Sequence, residues 1–153
     1  MDTAILIKTA LERLNTNSNG ISIFELFCRH LIPIVLDPLF LPADAADMCG
    51  GYTIDGWIIL GVTGKIKYAF SLEEMTKQKI IAEIKKTDQI EYQRIRFFTN
   101  WTIPTKVKEA VYHAFPDRFL TIYDKNDLAA YVNKHQELGL YIGLPLLQTG
   151  ISA

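Results

Sequence analysis

Apolar residues recur at helical spacing from the start of the chain: Ala4, Ile5, Leu6, Ala10, Leu11 and Leu14 predict an amphipathic helix over residues 3–14. The run Asn15-Thr-Asn-Ser-Asn-Gly20 ends it and is the most turn-like segment in the chain. Ser22 followed by Glu25 fits a capping box, which would open a strongly apolar helix reaching to about Leu36. Residues 37–51 read as a long loop with Pro38, Pro42 and Gly50-Gly51, and a short strand is expected near Leu39 to Leu41. Residues 52–60 are rich in β-branched and aromatic side chains and too short for a helix. Gly61-Val-Thr-Gly64 joins them to a second strand over 65–70, which makes a hairpin. Ser71 with Glu74 is a second capping box, with a helix to about Lys86. A strand over 94–99, a helix from Thr105 to about Phe115, a strand over 119–123 and a helix capped by Asp124 and stopped at Gly139 complete the pattern. The order is α-α-β-β-α-β-α-β-α. Its later strand–helix–strand units imply parallel neighbours, hence an α/β layered domain.

Composition adds limits. With 153 residues, 49% hydrophobic and 22% charged, the chain is long enough for one domain with its own core, and general disorder is excluded. No internal repeat or low-complexity tract is visible. The longest apolar stretch, residues 31–42, is broken by Pro33, Asp37 and Pro38, so no membrane span is expected. Asp2 and Glu12 spoil the start of the chain as a signal peptide. Cys28 and Cys49 therefore read as reduced thiols in a cytoplasmic protein.

The formal net charge of −1 excludes a globally basic coat protein, yet the charge is uneven. Residues 1–64 hold three basic and seven acidic side chains, a balance of −4. Residues 65–108 hold ten basic and five acidic, a balance of +5, and residues 109–153 return to −2. A basic block beside an acidic one fits a phosphate-binding face next to a carboxylate cluster, and equally fits a solvated helix face.

Two carboxylates stand out by context. Asp55 lies inside an apolar, β-rich segment immediately before Gly56, where strand interiors disfavour Asp. Glu25 sits between Phe24 and Leu26 near the start of the apolar helix, as a ligand or simply as the capping partner of Ser22. Arg94 and Arg96 alternate along one strand and so face one side, a suitable arrangement for phosphate contact. Trp57 and Trp101 suit base stacking or ordinary rim packing. Cys28 reads as a small buried hydrophobe, and His30, His113 and His135 hold no role.

The string Phe24-Glu25-Leu26-Phe27-Cys28-Arg29, then Gly50-Gly51 with Ile54-Asp55-Gly56, then Phe70-Ser71-Leu72, resembles the Mrr-type branch of the PD-(D/E)XK restriction endonuclease-like superfamily. Lys79-Ile80, Glu83-Ile84-Lys85-Lys86, Phe97-Phe98-Thr99-Asn100 and Thr121-Ile122-Tyr123-Asp124 continue the likeness, which covers roughly residues 21–135. The resemblance implies a restriction endonuclease-like α/β fold, a mixed central sheet flanked by helices, and a Mg²⁺-dependent nuclease acting on DNA. It casts Glu25 and Asp55 as metal carboxylates and implies no organic cofactor. Such a domain would belong to a larger restriction or defence protein.

The family's strand after the hairpin carries an acidic residue or glutamine, a spacer and a lysine. Ala69, Phe70 and Ser71 stand at those positions, and neither alanine nor serine can replace the missing groups. In such folds the lysine can migrate to the neighbouring helix. Lys79 is the best candidate, on one helix face with Leu72, Met75, Ala82 and Lys86. Lys65, Lys67, Arg94 and Arg96 would then contact the nucleic acid. The alternative is a catalytically inactive nuclease-like module for DNA binding or protein interaction.

The expected organisation is an N-terminal helix and turn over 1–20, a nuclease-like domain over 21–139 and an apolar tail over 140–153. Nothing in that tail is charged, so its large side chains are expected to be covered by a second copy, as in a homodimer, or by a fused C-terminal module, the alternative being that the tail packs back on its own domain.

Overall fold

A computed structural model describes residues 3–38, 40–42, 51–54, 65–72, 74, 77–85, 94–116 and 119–145. The first helix, α1 (Thr3–Arg13), buries Ile7, Ala10 and Leu11, the inner stripe of the predicted amphipathic pattern. A 3-10 turn, Leu14–Thr16, leads into α2 (Gly20–Val35). Helix α2 buries Phe24, Phe27, Cys28, Leu31 and Ile32, apolar positions three and four apart that line a single face.

Helix α2 starts two residues before Ser22, which corrects the first predicted capping box. Its N-cap is Asn19, without a side-chain cap. The turn is closed instead by Asn17, whose Oδ1 accepts the Asn19 N–H at 2.8 Å and whose carbonyl accepts the Gly20 N–H at 3.0 Å. Gly20 lies so near the Leu14 carbonyl that a Cβ there would stand 2.0 Å from its oxygen. Only glycine permits this approach, so the turn's packing sets where the helix begins.

Among the described residues five strands follow: β1 (Leu41–Pro42), β2 (Gly51–Ile54), β3 (Lys65–Ser71), β4 (Arg94–Thr99) and β5 (Phe119–Tyr123). They form one sheet in the order β1-β2-β3-β4-β5. The predicted hairpin is present as the antiparallel β2–β3 pair, with Gly51 opposite Tyr68 and Ile54 opposite Lys65. Strand β2 is described to Ile54; the predicted strand residues 55–60, with Asp55 and Trp57, lie outside the described residues. β3, β4 and β5 run parallel, joined by crossovers through α3 (Lys77–Lys85) and α4 (Thr105–Ala114). Ser71 is the last residue of β3, paired with Thr99, so the second predicted capping box does not form either. Strand pairing claims its backbone before the helix begins.

Alternation along the parallel strands sorts their side chains into two cores. Tyr68, Phe70, Phe98 and Tyr123 point to one face and pack with α1, α2, α5 (Lys125–Lys134) and the 3-10 helix Gln136–Ile142. Ala69, Ile95, Phe97, Leu120 and Ile122 point to the other and pack with Ile80 and Ile84 of α3 and Val111 of α4. The architecture is a mixed α/β sheet between two helical layers, as the α/β reading expected. No described helix is long and apolar enough to cross a membrane.

The predicted last helix divides. α5 ends at Lys134, and the chain continues as the 3-10 helix to Ile142. Gly143 then adopts φ 86°, a left-handed conformation natural to glycine, and the Leu144 N–H returns to the Gly139 carbonyl at 2.9 Å. This reversal buries Ile142 and lays Tyr141 and Leu144 on the domain's own core. Tyr141, Ile142 and Leu144 of the apolar tail are thus covered within the chain, while Leu140 is exposed. Residues 146–153 lie outside the described residues.

Candidate functional site

Glu25 projects from the second turn of α2 between buried Phe24 and Leu26, which is 49% exposed. It is half-buried and makes no hydrogen bond or ion pair among the described residues. Its charge is felt one turn along at Cys28. Burial first, and the Glu25 carboxylate second, push that thiol well above its ordinary range. Cys28 therefore stays protonated and serves as core, as its apolar setting predicts.

The other members of the predicted catalytic set are distributed as follows. Asp55 lies outside the described residues; its neighbour Ile54 pairs with Lys65, at the opposite end of β3 from Ser71. Lys79 is exposed on α3, while Ile80 and Ile84 of the same helix are buried against the sheet. Helices α2 and α3 cover opposite faces, so Glu25 and Lys79 stand in different layers. Ala69, at the acidic position of the family motif, packs into the α3–α4 core. Among the described residues no group of three or more His, Cys, Asp or Glu side chains is arranged to hold a metal ion.

Of the four predicted nucleic-acid contacts, Lys65, Lys67 and Arg94 are described as strand backbone, with Ile66 of β3 opposite Arg94 of β4. Arg96 is described in full. It is half-buried, and register puts it between Tyr68 of β3 and Thr121 of β5. Its Nη1 donates to the Tyr68 hydroxyl at 2.9 Å, and its Cζ lies 5.6 Å from that ring's centroid. The Tyr68 hydroxyl in turn donates to Asp37 Oδ2 at 3.3 Å. Two more tyrosines stand near: Tyr123, stacked on Phe98 at 4.7 Å, and Tyr131 of α5, at 6.3 Å from Tyr123. Burial raises the hydroxyl pKa of both above the ordinary value, and the Arg96 charge works against that rise in each.

The sequence gives the tyrosines and Asp37 no site role. Period-two alternation places Tyr68 on a known side of β3, but bringing it beside Arg96 requires the β3–β4 register, which one chain's pattern does not contain. Trp101 is explained by packing, its indole N–H donating to the Leu72 carbonyl at 2.6 Å. His30, given no role, stacks on Tyr141 at 4.1 Å between centroids.

A different polar cluster sits at the carboxyl ends of β4 and β5. The Asn100 side-chain amide donates to the Leu11 carbonyl and to Asn15 Oδ1, each at 2.8 Å, fastening α1 to the sheet. Asp124 caps α5 as predicted, in a reciprocal box with Asp127. Both groups bond to the chain itself and account for structure.

Comparison with known proteins gives no relative: no family model, no curated protein and no solved structure matches the chain.

Proposed function

We propose that this chain is a restriction endonuclease-like module that acts on the phosphodiester backbone of DNA with the aid of Mg²⁺. One observation carries the reading: an apolar helix bearing a half-buried glutamate, without a hydrogen bond or ion pair among the described residues, precedes an antiparallel β1-β2-β3 unit, which a helix then links to a parallel strand. That order agrees with the fold implied by the sequence resemblance. Carboxylate oxygens suit a hard divalent cation, and Glu25 is a fitting ligand because no other group of the described chain engages it. Asp55 is assigned as the second carboxylate. When bound, the cation would polarise the phosphate and activate water. Lys79 is assigned as the positive group near the scissile phosphate.

The second reading, an inactive nuclease-like module that binds DNA or protein, draws on two observations. Ala69 is packed in a core where the family places a ligand, and Lys79 lies in the layer opposite Glu25. Calorimetric titration with Mg²⁺ and Mn²⁺, beside a DNA cleavage assay, separates the two. The nuclease reading expects ion binding that Glu25→Gln and Asp55→Asn each abolish, and cleavage that Lys79→Ala abolishes without moving the unfolding midpoint. Absence of both ion binding and cleavage in the parent chain selects the inactive module.

A further inference from the structure

We infer that Arg96, with the tyrosines around it, forms a binding point for a phosphodiester of nucleic acid, on the sheet face that carries α2 and α5. This rests on the reading of the chain as a DNA-handling module but not on its catalysis. Four observations converge.

Arg96 is a half-buried guanidinium with no ion pair among the described residues. A cation taken partly out of water is normally matched by a carboxylate, because dipoles alone offset its desolvation poorly. Among the described residues its hydrogen-bond partner is a neutral phenol, Tyr68, bonded through Nη1. The remaining N–H donors form the planar fork that suits phosphate oxygens.

Its position is also held from beneath. Tyr68 is fully buried, packed edge-on against Phe40 at 4.8 Å and beside Phe98 at 6.1 Å. A phenol fixed on three sides holds the guanidinium in one place, so little ordering is needed when an anion arrives.

The neighbouring strand leaves an approach. Thr121, directly beside Arg96 in register, is exposed, whereas Phe98, two residues further along β4, is fully buried under the helices. The helical cover therefore ends close to Arg96. Half-buried Tyr123 and Tyr131 flank the same charge and offer ring edges and hydroxyls to a sugar or base.

The local acid, Asp37, reaches the guanidinium through the Tyr68 hydroxyl, which donates to its Oδ2 at 3.3 Å. It orients the phenol so that the phenolic oxygen accepts from Arg96.

The test is binding of a short fluorescent DNA duplex by anisotropy in EDTA, where neither metal nor cleavage takes part, across a series of salt concentrations. Arg96→Gln should weaken binding about tenfold and lower the salt slope by about one unit. Arg96→Lys should restore part of the affinity, because it returns the charge without the fork. Thr121→Glu is an independent variant at an exposed strand position, and it should weaken binding similarly by setting a carboxylate beside Arg96. Thermal unfolding of each variant verifies that the fold is retained. Parent-like affinity and salt slope in either folded variant, Arg96→Gln or Thr121→Glu, overturns the inference. So does a parent chain that fails to bind the duplex. Arg96-dependent binding in a chain that neither takes up Mg²⁺ nor cleaves DNA would instead retain this site and remove the nuclease reading.

Discussion

Asp124 shows how much of this fold hangs on single side chains. It is 3% exposed and holds three segments together. Its Oδ1 accepts from the N–H groups of Asn126 at 3.0 Å and Asp127 at 3.2 Å, capping α5. Its Oδ2 accepts from the Ile103 N–H at 3.0 Å, before α4, and lies 3.5 Å from Lys108 Nζ. Burial alone would raise its pKa. The N–H donors and the Lys108 charge outweigh that and hold the carboxyl below its ordinary 3.8. A carboxyl with a depressed pKa in the folded state contributes stability in full above its unfolded value, and loses it as pH falls through the folded one. Asp124→Ala should cost about 2–4 kcal/mol near neutral pH, from a lost cap plus a buried N–H left without an acceptor. Denaturant unfolding of parent and variant from pH 7 to pH 2 checks this. The gap should be constant above about pH 5 and narrow below pH 4; a gap unchanged down to pH 2 would assign the effect to packing alone. The capping role was readable from Asp124 standing three residues before Asp127 at a strand–helix junction. The link to Ile103 was not, because it joins residues 21 apart in sequence.

Whole elements were more legible than their ends. Five helical and strand patterns of the second half appear in order, because their apolar periods match the faces they bury. Both Ser–Glu capping boxes failed for the same kind of reason: a contact outside the local motif set the boundary. At α2 that contact is Gly20 against Leu14; at β3 it is the pairing of Ser71 with Thr99. The Gly20 contact is directly testable. Its Cβ substitute would stand 2.0 Å from a backbone oxygen that cannot rotate away, so the junction between α1 and α2 must open. Gly20→Ala should therefore destabilise the chain by about 3 kcal/mol, although alanine is the better helix former by about 1 kcal/mol. Urea unfolding at 25 °C gives the sign. A stabilised Gly20→Ala would mean that helix propensity governs the junction, and that the turn yields to the added methyl group.

At the scale of the whole molecule, the sequence located the layers but not the way they are joined. Alternating strands and helices announced a sheet covered on both sides. Which helix lies on which face is decided by the two cores, and that is why Glu25 and Lys79, credible partners in sequence, occupy separate layers. The apolar tail poses the same problem. Its uncharged run left cover by a second copy, by a fused module or by this domain itself open, because no periodicity marked it as an element of this domain. What closes it on the domain is one left-handed glycine, Gly143, and the return of Leu144 to Gly139. Ile142 is then 6% exposed, and Tyr141 and Leu144 rest on the core beside it. Each large side chain so covered contributes roughly 1.5–3 kcal/mol before ordering costs, giving a net of about 3 kcal/mol for the three. In a chain of this length that corresponds to a fall of roughly 6–12 °C in the unfolding midpoint. Deleting residues 140–153 should produce that loss in dilute solution, independent of protein concentration, and Ile142→Ala should reproduce a part of it. A midpoint that stays put on truncation while self-association drops would show instead that these side chains serve a contact between copies.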